Sequence, residues 1–104
     1  MADRRIVWTE TAAKQRNQIL RYWVQRNGSN EYALKLLDSS NQKTERIAKH
    51  PMIYREAEHP NTRVASMGHY SIYFKVDDDV VIITAFWDNR QDPKKLFDLL
   101  SRRK

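Results

Sequence analysis

The stretch from Val80 to Trp87, VVIITAFW, constrains this chain more than any other, because it is apolar at nearly every position and rich in β-branched and aromatic residues. Such a run fits a strand covered on both faces and therefore the centre of a sheet. Before it, Tyr70, Ile72, Phe74 and Val76 alternate with Ser71, Tyr73 and Lys75, the period-two pattern of a half-buried strand. Asp77, Asp78 and Asp79 between the two runs form a charged turn, since aspartate tolerates turn geometry and does not sit unpaired in a core. Further upstream, Arg63 to Met67 is a third strand joined through Gly68-His69. A two-residue turn there sets Met67 opposite Tyr70. Val64, Ser66, Ser71, Tyr73 and Lys75 then share one face of the hairpin, and Arg63, Ala65, Met67, Tyr70, Ile72, Phe74 and Val76 share the other. A slip of one residue would exchange the faces.

The rest of the chain supplies the packing. Arg5 to Trp8 is a short edge or first strand. Thr9 follows as a helix cap, with Glu10 in the first turn, where it complements the dipole. The helix runs to Asn27, with Ala12, Ile19, Leu20 and Trp23 on one face and Gly28 just past its end. Ser29 or Asn30 caps a second helix, whose Ala33, Leu36, Leu37, Ser40, Thr44 and Ile47 recur at three- and four-residue steps up to His50, before Pro51 stops it. So short a connection makes the helices an antiparallel pair that lays its apolar stripe on one face of the sheet. Residues 51–62 read as a loop with one strand-like turn near Tyr54. Asp92-Pro93 opens a short amphipathic helix carrying Leu96, Leu99 and Leu100, and its end at Arg102, Arg103 and Lys104 reads as a solvated cationic terminus. The expected fold class is α+β, ordered βααβββα, with an antiparallel sheet backed by a two-helix hairpin. Residues 1–104 are expected to form a single domain, a size at which a real core can be buried.

The chain has 104 residues, 19 Lys and Arg against 13 Asp and Glu, a formal charge of +6, and no cysteine. That composition excludes disulfides and thiolate metal sites, and it favours acidic partners such as nucleic acid or an acidic protein. No apolar run approaches the roughly 20 residues of a membrane span, and the N-terminus carries no signal-peptide core, so the expectation is a soluble cytoplasmic protein with no membrane partner. The charge is unevenly placed. Residues 51–89 carry three basic and six acidic side chains, so the positive excess belongs to the helices and the ends.

His50, His59 and His69 are isolated, and both glycines have turn explanations, so neither a metal site, a phosphate-cradling loop nor a cofactor is expected. What remains is a site of basic and polar residues. Tyr73 and Lys75 with Arg90 could hold and polarise a phosphodiester while a base deprotonates a 2′-hydroxyl. Packing is the ordinary role for that tyrosine and solvation for that lysine. His69 titrates near neutrality but sits in a tight turn. Asp88 and Arg90, where the central strand leaves the sheet, form either a functional pair or a local ion pair that shapes the turn. Trp8 and Trp87 read as core rather than as a base-stacking platform.

The stretch GHYSIYFKVDDDVVIITAF resembles the strand-turn-strand signature of the RelE/ParE superfamily of bacterial type II toxin-antitoxin toxins, and WDNRQDPKKL is similar to the ending of its ParE-like members. Trp8 to Ile19 resembles the family's opening strand and first helix. The resemblance implies a compact growth-inhibiting toxin of a plasmid-stabilisation type, neutralised by a cognate antitoxin through which alone it would meet operator DNA. The antitoxin's extended segment and helix would wrap the groove beside the sheet and helical pair. The implied target is either DNA gyrase, poisoned without catalysis, or ribosome-bound mRNA, cut by an endoribonuclease. For the nuclease, Arg63, Arg90, Tyr73, Lys75 and His69 are the candidate catalytic residues. Arg63 and Arg90 match family arginines, whereas Ser71 stands at a position that is basic in many members, and the last strand ends in Phe86-Trp87 without a titratable Tyr or His. These departures favour the ParE-like, gyrase-directed activity. A non-toxic basic binding module, or a degenerate member of the family, is the alternative of another class.

Overall fold

The computed structural model describes residues 4–101, so Arg102, Arg103 and Lys104 lie outside the described residues. Strand β1 (Arg5–Trp8) leads into α1 (Glu10–Asn27) and α2 (Glu31–Lys49). A short 3-10 turn (Pro51–Ile53) and β2 (Arg55–Glu56) follow, then β3 (Arg63–Met67), β4 (Tyr70–Asp77), β5 (Val80–Asp88) and α3 (Pro93–Ser101). The expected boundaries hold closely. The Thr9 hydroxyl accepts from the Ala12 amide at 3.1 Å, and Gly28 closes α1 with φ +69°, in the left-handed region that glycine enters without a Cβ penalty. Asn30 is the residue before α2, although its side chain makes no capping bond.

The sheet has five strands in the order β1-β5-β4-β3-β2, so the middle strand is β4 rather than the expected β5, although β5 is interior, with a neighbour on each side. Four strands are antiparallel to their neighbours, as expected, while β1 adds parallel to β5, with Arg5 beside Val80 and Trp8 beside Ile83. A parallel neighbour needs a long crossover, and the helix pair with the β-meander provides it. The strand-like turn expected near Tyr54 resolves into the two-residue β2, paired with β3. Met67 pairs with Tyr70, so the faces are those read from the alternation. The aspartate turn tightens to Asp78-Asp79, with Asp78 at φ 54° and Asp77 taken into β4.

Because β1 ends opposite Ile83, the outer edge of β5 beyond that point has no strand beside it. Helix α1 completes it in another way, since the Gln15 carboxamide oxygen accepts from the Phe86 amide at 2.9 Å. A buried unpaired amide would cost about 1–3 kcal/mol, so this side chain does the work of an absent strand. Between β4 and β5 the register shifts at Tyr73/Phe74, where Thr84 is the extra residue of a bulge.

One face of the sheet packs on the helix pair. Ile72, Phe74, Val81 and Ile83 from the strands meet Ala12, Leu36 and Ile47 from the helices, with Ile6, Trp8, Ile19, Leu20 and Trp23 packed around them. Each large apolar side chain taken fully from water stabilises the fold by about 1.5–3 kcal/mol. On the opposite face, α3 lies against β5. There Ala85 and Trp87, which share the face of Tyr73 and Ser71, are buried. Trp8 and Trp87 are therefore both packed, as expected, but on opposite sides of the sheet.

Candidate functional site

The turn from β5 into α3 is the most tightly built charged feature. Arg90 Nε and Nη2 each donate to an Asp88 carboxylate oxygen at 2.9 Å, and the Arg90 amide donates to Asp88 Oδ1 at 2.9 Å. These bonds hold the Asp88 carboxyl below its ordinary pKa, opposed in part by desolvation and helped by the positive field of His69. The ion pair that shapes the turn is thus present.

Beside this pair, α1 and the β4 and β5 ends enclose a cleft of about 480 Å³ lined by Tyr22, Trp23, Arg26, Tyr70, Asp88 and Arg90, among others. The Trp23 indole N–H donates to the Tyr70 hydroxyl at 2.9 Å, which joins the helix layer to the sheet at the cleft floor. Along the same side of α1 a further cleft of about 550 Å³ runs between α1 and α3, over Phe86 and Trp87.

Lys75 and Arg63 lie elsewhere. Both line a cleft of about 680 Å³ near the far end of β4, in company with Glu56, Glu58 and Asp77. Arg63 is already engaged there, donating to the Tyr54 carbonyl at 2.6 Å and pairing with Glu56 at 3.6 Å. Tyr73 lines a fourth, smaller cleft of about 240 Å³ with Arg55, Glu58, His59 and the α3 residues Leu96 and Leu100. Burial raises its pKa above the ordinary phenol value, with the Arg55 charge opposing and the Glu58 charge adding. At neutral pH Tyr73 is a neutral phenol that can donate a hydrogen bond but not accept a proton as a base. His69 is exposed in the turn at the opposite end of β4 from Lys75. Five residues of extended chain from Tyr70 to Lys75 cover roughly 17 Å. The five candidates of the sequence therefore divide in two: Arg63, Lys75 and Tyr73 line adjoining clefts that share Glu58 and His59, and His69 and Arg90 lie around Asp88 at the other end of β4.

Sequence reasoning missed Tyr22, Trp23 and Arg26 as cleft residues, because the apolar periodicity of α1 directs attention to its buried side. The four-residue spacing of Gln18, Tyr22 and Arg26 was the available signal. It also missed Gln15, whose role depends on a strand ending elsewhere in the chain. Among the described residues no cluster of His, Cys, Asp and Glu is arranged to hold a metal ion, and no helix is long and apolar enough to cross a membrane.

Comparison with known proteins agrees with the architecture. The family model of the ParE toxin of the parDE type II toxin-antitoxin system matches residues 6–93. A solved structure of the chromosomal ParDE toxin-antitoxin system from P. aeruginosa superposes with a TM-score of 0.70 at 21% identity, over 80% of this chain and 92% of that one. The RelBE toxin-antitoxin complex from Mycobacterium tuberculosis does so with a TM-score of 0.56 at 16% identity, over 88% of this chain and 97% of that one. At those identities the structural likeness speaks for the fold. The search of curated proteins returns no match.

Proposed function

The chain belongs to the ParE toxin family of type II toxin-antitoxin systems, and from that premise we propose that it is a cytoplasmic toxin, held silent by a cognate antitoxin, that inhibits DNA gyrase without catalysing a reaction. The observation that carries the non-catalytic reading is the separation of Arg63, Lys75 and Tyr73 from His69 and Arg90, which lie towards opposite ends of β4. A general base, a phosphate clamp and an acid must lie within hydrogen-bonding reach of one reacting group. Here Arg63 is engaged with Tyr54 and Glu56, Tyr73 is neutral beneath α3, and Arg90 stands beside Asp88 at the other end of β4 from both. The acidic company of Lys75 also works against gripping a polyanion there.

Induction of the chain alone should arrest growth, and co-expression of the antitoxin encoded beside it should restore growth. With purified gyrase, the folded protein should inhibit supercoiling or trap double-strand breaks. Unimpaired supercoiling by gyrase at a toxin excess would reject the gyrase reading, and absence of any growth effect would favour a non-toxic basic module. A second reading, the ribosome-dependent endoribonuclease, has one observation in its favour, that Arg63 and Lys75 share a cleft. It requires cleavage of message on programmed ribosomes, and loss of that cleavage in Arg63→Ala or Arg90→Ala.

A further inference from the structure

The cleft at the end of α1 is walled by the rings of Tyr22, Trp23 and Tyr70 and by the guanidinium groups of Arg26 and Arg90. Gln18, Tyr22 and Arg26 recur every four residues and so line up along its helical wall. The Tyr22 side is open, with 53% of the residue exposed, while its ring meets Trp23 edge-on at 5.1 Å. Trp23 is held in turn by Tyr32, edge-on at 4.9 Å, and by its hydrogen bond to Tyr70. Trp23 is therefore braced before any ligand arrives, and Tyr22 rests its ring against it. Across from them stands Arg90, its orientation set by Asp88.

The electrostatics are one-signed. Among the described residues Asp88 is the only carboxylate that lines this cleft, where it pairs with Arg90, and Arg26 makes no ion pair, so the lining keeps a net positive charge. Helix α1 as a whole carries Lys14, Arg16, Arg21 and Arg26 against Glu10 alone. A purely apolar ligand would leave the guanidinium groups desolvated without partners, and a small anion would make no use of the rings. Alternating flat faces and negative charges are what an unpaired nucleotide strand presents. In a duplex the base faces are already stacked on one another and are not offered to a side chain.

We infer that the cleft between the second half of α1 and the β5–α3 turn binds single-stranded nucleic acid, with a base against Tyr22 and phosphates on Arg26 and Arg90. The inference stands apart from the gyrase reading, and its test uses the purified full-length chain with neither gyrase, ribosome nor antitoxin. Titration of a fluorescein-labelled oligothymidylate of about 12 nucleotides at low salt, read by fluorescence anisotropy, should show saturable binding. Tyr22→Ala and Arg26→Ala should each weaken it by about tenfold, whereas Tyr22→Phe, which keeps the ring, should bind like the parent. Arg26→Ala should also lower the slope of log affinity against log salt by about 0.7. Lys49→Ala removes the same charge from the exposed far end of α2 and should change affinity by less than about twofold. Equal weakening by Lys49→Ala and Arg26→Ala would reduce the binding to net charge and overturn the site. So would absence of saturation, or tighter binding of a duplex of the same length. Polyglutamate competing as well as the oligonucleotide, through the same two residues, would overturn it in favour of an acidic polypeptide.

Discussion

Helices α2 and α3 are both amphipathic and lie on opposite faces of one sheet, yet they are held very differently. Helix α2 buries Ala33, Leu36, Ser40, Thr44, Ile47 and Ala48. Helix α3 buries none of its residues fully, leaves Phe97 54% exposed, and has a cleft on each side of it. An apolar stripe in the sequence says that a helix has a side to hide, but the length of helix and the partners beneath it decide how much is hidden. The helix pair closes its face of the sheet with interlocking large side chains, while nine residues of α3 only roof the other. Stability is thus concentrated on one face, and adjustable surface on the other.

The contrast can be tested by mutation and titration. Phe74→Ala, at the centre of the closed face, should cost about 3–5 kcal/mol in chemical denaturation. A loss below about 1.5 kcal/mol would mean that this face is not the stabilising one. Next in size, Gly28→Ala should cost about 1 kcal/mol, because a Cβ would meet nothing within 4 Å and the whole penalty is the left-handed backbone. Leu96→Ala on α3 should cost about the same or less, since its side chain is only half buried, and α3 amides should exchange with solvent sooner than those of α2. Slower exchange in α3 would reverse the ranking of the two helices.

The smallest effect concerns the Asp88–Arg90 turn. The folded-state pKa of Asp88 is lowered, so its contribution is present above the unfolded aspartate value of about 3.9 and is lost as pH falls through the folded value. Arg90 is more than half exposed and solvent screens the pair, so that contribution is small. Titration of the Asp88 carboxyl by NMR should place it below ordinary aspartates, and a value at or above them would show that the two-pronged contact is not held in solution.

How far the molecule was legible before folding follows from the range of the interactions involved. Thr9 and Gly28 as helix limits, the pairing of Met67 with Tyr70, and the burial of Ile72 and Phe74 all depend on neighbours close in the chain or on strict alternation. The candidate site was less legible. Arg63 and Arg90 could be named as cations, but their carbonyl and carboxylate partners were not weighed for Arg63, whose contacts come from the loop before β3. The parallel placement of β1 escaped for the same reason, as did Gln15 on the Phe86 amide.

The sequence alone determined the elements, their limits and the two sides of the hairpin, because propensity, capping and period are properties of adjacent residues. Only the tertiary structure decided which cations share a cleft, which are already paired, and that Tyr22, Trp23 and Arg26 meet Arg90 across a gap. The last of these joins residues more than sixty positions apart, and the distance between such residues is set by how the layers pack, a property that no local stretch of chain contains.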